Sequence, residues 1–270
     1  MMFVPQASGP VILKSASEID AMRVAGQAAA DTLCAVGAMI GVGVSGLDID
    51  EFVRSDTTSR GGTCAPKDYR GYPAHCCVSV NNCICHGIPN KRQLQDGDIV
   101  NVDITTIIDG WHGDTSATFY IGETKSTDSK KVTEGARDAL TAGIAEVKPG
   151  ARIGDIGAAI QLVASGRNLS VVTAFVGHGI GRGFHESPNV PHYGSPGRGL
   201  RLKPGMIITI EPMLNIGSPD AEIMQDGWTA LTLDRSLSAQ FEHTIAVLES
   251  GYEILTARSS LLKNSEIFSA

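Results

Sequence analysis

The chain repeats one pattern twice, and each copy carries acid and histidine where a metal site would want them. The first copy runs from His86-Gly-Ile-Pro89-Asn90 to the strand-like Gly97-Asp98-Ile-Val-Asn-Val-Asp103. The second runs from His185-Glu-Ser-Pro188-Asn189 to Gly205-Met-Ile-Ile-Thr-Ile-Glu211. In both, a His-x-x-Pro-Asn segment precedes a β-rich run that places a carboxylate six residues after a glycine, and an Asp-Gly-Trp turn follows, at Asp109–Trp111 and Asp226–Trp228. Two similar halves are implied, each bringing an acid to a shared centre.

Each half offers a second acid beyond its turn, Asp114 and Glu242. Four carboxylates at one spot cannot all stay ionised unless a cation holds them, and His178, in Gly177-His178-Gly179-Ile180-Gly181, adds a nitrogen donor. The pattern therefore points to a carboxylate-rich pair of metal ions.

At 270 residues, with 42% hydrophobic and 19% charged residues, the composition is that of an ordinary globular chain large enough for a substantial core. The net charge is −7, and the basic residues are scattered apart from Arg198, Arg201 and Lys203, so there is no footprint for nucleic acid or membrane. The start lacks a basic region followed by a long apolar core, and no apolar run approaches the roughly 20 residues of a membrane span. A cytoplasmic monomer is expected. Five of the six cysteines lie between Cys64 and Cys85, at spacings that fit a zinc site poorly, so free thiols are expected. Cys76 to His86 reads as a hairpin turning at Asn81-Asn82, with Cys77 and His86 on one face and Cys76, Cys83 and Cys85 on the other.

Ser15 and Glu18 form a capping box for a helix with an inner stripe of Ile19, Met22, Gly26, Ala29, Leu33, Val36 and Ile40. Gly41-Val-Gly43-Val-Ser-Gly46 matches a dinucleotide fingerprint but follows a helix rather than a strand, so it reads as a helix stop. Further helices are predicted over 48–60, 126–150 and 153–165, and strands over 170–176, 206–211, 229–233 and 241–248. Asp109-Gly110 is a two-residue hairpin turn within 98–121. Its register sets 103 opposite 116 and 105 opposite 114, making Asp103 and Asp114 diagonal neighbours on one face. Helices in two groups and hairpin-paired strands indicate an α+β fold with antiparallel sheet.

Taken singly, each acid has an ordinary reading as a strand-end or turn residue. Glu242, however, lies in an apolar strand, where burying a polar group without a partner costs about 2–7 kcal/mol and a charge more, so it demands one. The motifs Asn101-Val-Asp103, Gly110-Trp-His-Gly-Asp114-Thr115, Gly177-His178-Gly-Ile-Gly-Arg182-Gly-Phe184-His185-Glu186, Ile210-Glu211-Pro212-Met213 and Gln240-Phe-Glu242-His243-Thr244, in that order, closely resemble type I methionine aminopeptidase from about Ser15 to Leu255. That resemblance implies a pita-bread (creatinase/aminopeptidase-like) fold, with two pseudo-symmetric halves around a central metal site. It divides the chain into a flexible lead-in (1–14), a single catalytic metallopeptidase domain (15–259) and a tail (260–270).

The resemblance also implies that Asp103, Asp114, His178, Glu211 and Glu242 hold two divalent ions, with Asp114 and Glu242 bridging. The donor set is compatible with Mn, Fe(II), Co or Zn. His86 would contact the scissile amide nitrogen, His185 would stabilise the oxyanion, and Glu211 would also shuttle the proton. Tyr69, Tyr72, Cys77, Phe184 and Trp228 would wall a methionine pocket, with Thr105 near the free amine. The implied reaction removes the initiator methionine from nascent polypeptides whose second residue is small, with transient ribosome contact; Met2 then makes this chain a poor substrate that keeps Met1. Cys64-Ala-Pro66-Lys67-Asp68-Tyr69-Arg70 is bulkier and more charged than is usual in that family, which alters the pocket rim. The competing readings are an Xaa-Pro peptidase of the same fold and a non-catalytic peptide- or ribosome-binding homologue.

Overall fold

The structure is a computed structural model that describes residues 9–123 and 126–258. Most of the expected lead-in (1–8) and the whole expected tail (260–270) lie outside the described residues. The first half runs α1 (Ala16–Met39), α2 (Gly46–Ser59), β1 (Thr63–Cys64), β2 (Cys77–Val80), β3 (Cys83–Cys85), β4 (Ile99–Ile108) and β5 (Trp111–Tyr120). The second runs α3 (Thr127–Ala145), α4 (Ile153–Gly166), β6 (Ser170–Val171), β7 (Gly177–Gly179), β8 (Glu186–Val190), β9 (Ile207–Ile210), β10 (Met213–Asn215), β11 (Ala221–Ile223), β12 (Ala230–Thr232), β13 (Ser238–Gln240), β14 (His243–Val247) and β15 (Tyr252–Ile254). Two helices followed by a run of strands occur twice, as the duplication requires. Among the described residues the strand ladders are antiparallel.

Local chemistry explains most of the frame. Ser15 and Glu18 close the capping box on α1, and six of the seven stripe residues are buried, with Ile40 half-buried beyond the end of the helix. The glycine-rich stretch after α1 is a loop that runs into the N-terminus of α2. Asp109 and Gly110 both take positive φ, 50° and 78°, which is what the two-residue turn demands, and the β4–β5 register pairs Asp103 with Ser116 and Thr105 with Asp114. A core shared by both halves, including Leu33, Val102, Phe119, Leu140, Ile160 and Ile210, holds the helices over the sheets.

Two expectations are corrected. β2 and β3 do turn at Asn81-Asn82, but they form no ladder: β2 pairs with β4, whereas β3 pairs with β12. The Asn81 side chain bonds the Ile99 N–H and Asp98, so the turn is tied to the start of β4 and the two strands diverge into different sheets. The expected strand over 170–176 is ladder-paired only at β6, because Thr173–Val176 line a pocket instead. The two Asp-Gly-Trp turns are not equivalent. Trp111 is buried with Ile19, Met22 and Ala25 of α1, while Trp228 packs beside Tyr72 and Cys77.

Candidate metal centre and substrate pocket

Five strand regions deliver the five ligand-type side chains. Asp103 stands on β4, Asp114 on β5 and His178 on β7, while Glu211 directly follows β9 and Glu242 directly precedes β14. His243 pairs with Ile210, so the second half brings its two glutamates side by side as the hairpin brings the two aspartates. The halves are joined by backbone and short polar side chains. Glu242 N–H donates to Ser116 O (3.0 Å), the Asp114 N–H donates to Thr244 Oγ1 (3.1 Å), and Thr244 Oγ1 donates to Asp114 O (2.8 Å). Thr115 Oγ1 donates to Glu242 O, and Asn101 Nδ2 to Gln240 O, both at 2.9 Å.

The histidine and acids face one another without bonding. His178 Nε2 is 3.7 Å from both Asp114 Oδ2 and Glu211 Oε1, too long for a hydrogen bond and suited to donors sharing a cation. Ligand atoms of Asp114, His178 and Glu242 all fall within 4.8 Å of one another. The Gly179 carbonyl, 2.9 Å from His178 Nδ1, can only accept, so Nδ1 carries the proton and Nε2 turns its lone pair to the acids. Thr105 Oγ1 donates to Asp114 Oδ1 (2.7 Å), Thr209 Oγ1 to Glu211 Oε1 (2.8 Å), and Gln240 Nε2 to Glu211 Oε2 (3.3 Å).

Burial pushes Asp103 up to about 7 and Glu211 up to about 8. Asp114 is held well above the carboxylate range, first by burial and then by the charges of Asp103 and Glu211; Glu242 likewise, with Asp114 its main charged neighbour. Burial also brings His178 down to about 4. A divalent cation is what lets such a set ionise together, and four carboxylates with one neutral imidazole are a fitting donor set for it.

All thirteen side chains singled out from the sequence line one pocket of about 710 Å³. Tyr69, Tyr72, Cys77, Phe184 and Trp228 form much of its wall, with His86, Thr105 and His185 around the acids. The Tyr69 hydroxyl is 3.0 Å from His185 Nδ1, and Tyr72 meets Trp228 edge-on at 5.2 Å. Burial brings His86 down to about 4 and His185 lower still. Cys85, expected on the face opposite Cys77, lines the pocket with it, because β3 leaves β2 and His86 takes φ 55°. Burial raises both thiols well above the usual range, so the wall presents neutral sulfur. Sequence reasoning passed over Phe175, Met213 and Ile223 of the lining, and the hydroxyl partners Thr209 and Thr244; Arg70, read as part of the altered rim, does line the pocket. Thr209 had a signal: it lies two residues before Glu211, on the same strand face.

This fold and donor set match a known class. The model of metallopeptidase family M24 matches residues 20–249, and the chain belongs to that family. Within it, the chain is 51% identical over 247 residues to methionine aminopeptidase A of Synechocystis, covering 91% of this chain and 97% of the relative. The crystal structure of methionine aminopeptidase from Rickettsia prowazekii superposes with a TM-score of 0.90 at 44% identity, covering 92% of this chain and all of that one. The resemblance read from the five motifs is thereby borne out, as are the pita-bread fold and a metal-dependent peptidase. Prolidase from Pyrococcus furiosus, at TM-score 0.72 and 19% identity, shares the fold; the chain covers 66% of it.

Proposed function

We propose that this chain acts as a methionine aminopeptidase, releasing the N-terminal methionine of nascent polypeptides whose second residue is small. The observation that carries the reading is the convergence of five ligand-type side chains at the base of one sulfur- and aromatic-walled pocket. Asp103, Asp114, His178, Glu211 and Glu242 would hold two divalent ions drawn from Mn, Fe(II), Co or Zn. Such ions supply a water of lowered pKa and a polarised scissile carbonyl.

The remaining work falls to the protein. Tyr72, Cys77 and Trp228 hold an unbranched thioether by polarisable contact. Thr105 stands where it can meet the free amine, and Glu211, beside the reacting groups, moves the proton from water to the leaving nitrogen. His86 bonds that nitrogen. His185 donates to the developing oxyanion, a contribution on the order of 3 kcal/mol per donor, while the Tyr69 hydroxyl holds its ring. The bulk of Arg70 and Pro66 at the rim and the nearby acids favour a small second residue. Under this reading the partners are nascent-chain N-termini, met by a cytoplasmic monomer in transient contact with the ribosome. No described helix is long and apolar enough to cross a membrane.

The test is methionine release from Met-Ala-Ser and Met-Leu-Ser with Mn supplied. Release from the alanine peptide alone is expected. Equal release from both would refute the second-residue rule, and release from neither, in folded protein, would favour a non-catalytic binding homologue.

A further inference from the structure

Lys14 is a charged residue in a place where charge is costly. It lies at the end of the lead-in, just before the cap of α1, yet its side chain is only 3% exposed. Its Nζ is 2.5 Å from Glu186 Oε2, a carboxylate 172 residues away and itself 11% exposed. Its own N–H donates to Gly205 O at 2.7 Å, two residues before β9, the strand that leads into Glu211.

Glu186 uses its other oxygen at home. Oε1 accepts the Gly183 N–H at 2.8 Å, folding the segment 183–186 back on its own carboxylate. Phe184 and His185, both lining the pocket, are the two residues inside that closure. The clamp leaves no slack: a Cβ on Gly181 would stand 2.5 Å from Lys14 Cε and 2.8 Å from Glu186 Oε1. The near end of the loop is fixed separately, by His112 N–H on Gly181 O (3.1 Å) and Arg182 on Asp109 O (2.9 Å).

We propose that Lys14 is a positioning residue of the reaction: its buried ammonium, paired with Glu186, holds the loop that sets Phe184 and His185 in the pocket. The proposal rests on the reading of His185 as a substrate-facing donor. Without the ammonium, a buried carboxylate is left uncompensated and turns toward water, releasing Gly183 N–H and with it the stance of the loop. Removing both charges relieves that drive, and a glutamine retains an oxygen for Gly183.

The experiment compares Lys14→Met, Lys14→Met/Glu186→Gln and His185→Ala with the wild-type protein in Mn, reading kcat and KM on Met-Ala-Ser, thermal unfolding, and amide exchange over 181–186. Lys14→Met is expected to lower kcat on the order of 10–100-fold, the range for lost support of a site residue, and to speed exchange in the loop. The double variant is expected to recover kcat to within about 3-fold of wild type, since neutral replacement of a buried pair is often tolerated. A Lys14→Met protein that melts earlier but turns over normally would overturn the proposal. So would a folded double variant as impaired as Lys14→Met, or, should Lys14→Met not fold, one with a large loss of kcat. Inactive His185→Ala beside fully active Lys14→Met would remove the clamp alone, whereas fully active His185→Ala would remove the reading beneath it.

Discussion

Substituting Gly113 with alanine should damage both stability and chemistry, because helix α1 lies directly on the backbone of β5 there. A Cβ at 113 would stand 2.5 Å from the Ala25 carbonyl carbon and closer still to Gly26 N and Cα, all main-chain atoms that no rotamer change can move. Carbon atoms in contact sit about 3.5–4 Å apart, so helix and strand must separate by about 1 Å. Overpacking of this kind costs about 1–3 kcal/mol, and at about 2–4 °C per kcal/mol for a domain of this size the melting temperature should fall by roughly 2–12 °C. Asp114 is the next residue on β5, and a displacement of about 1 Å at a reacting centre can cost on the order of 100-fold in rate. The assay is thermal unfolding beside methionine release, with Gly166→Ala as the control, since nothing lies within 4 Å of a Cβ there. A Gly113→Ala protein with unchanged melting and turnover would refute the packing argument.

Two further outcomes follow from the acids. In metal-free protein Asp103 and Glu211 titrate at about 7 and about 8, against about 3.9 and 4.3 in the unfolded chain. Above about pH 6.5, where the buried histidines brought down to about 4 and the unfolded histidines are both largely neutral, these acids leave the folded state binding more protons, and stability should fall as pH rises from about 6.5 to about 8; added Mn should raise the melting temperature more at pH 8 than at pH 5. A metal-free melting temperature that climbs across that window would contradict the site's electrostatics. Thr209→Val removes the hydroxyl that orients Glu211 and accepts the buried His178 N–H, and should weaken metal binding by about 10-fold or more in calorimetric titration; unchanged affinity would show that the hydroxyl is idle.

Where a feature is set by neighbours in the chain, the residues themselves announce it. The capping box places α1, and Asp109-Gly110 fixes a register that puts Asp103 and Asp114 on one face. Because the second half repeats the first, Glu211 and Glu242 are expected opposite them. What stays hidden is long-range. Asn81-Asn82 looks like a hairpin turn from either side, and nothing nearby in sequence says that β3 will pair with β12, which is why a hairpin reading puts Cys85 on the wrong face. The Asp-Gly-Trp repeat preserves a turn while its tryptophans meet different neighbours, α1 in one half and the pocket in the other. Thr115, Thr244 and Lys14 act across separations of 127, 130 and 172 residues, distances over which periodicity carries no signal.

The most direct test strips the wild-type protein and a Glu242→Gln variant of metal, then follows methionine release from Met-Ala-Ser as Mn is added back. Release that returns with metal in the wild type, and stays at least about 100-fold lower in the variant, is the predicted result, since Glu242 is one of the carboxylates that would hold the metal. Release without metal, or a variant as active as the wild type, would contradict a carboxylate-held metal centre as the seat of the reaction.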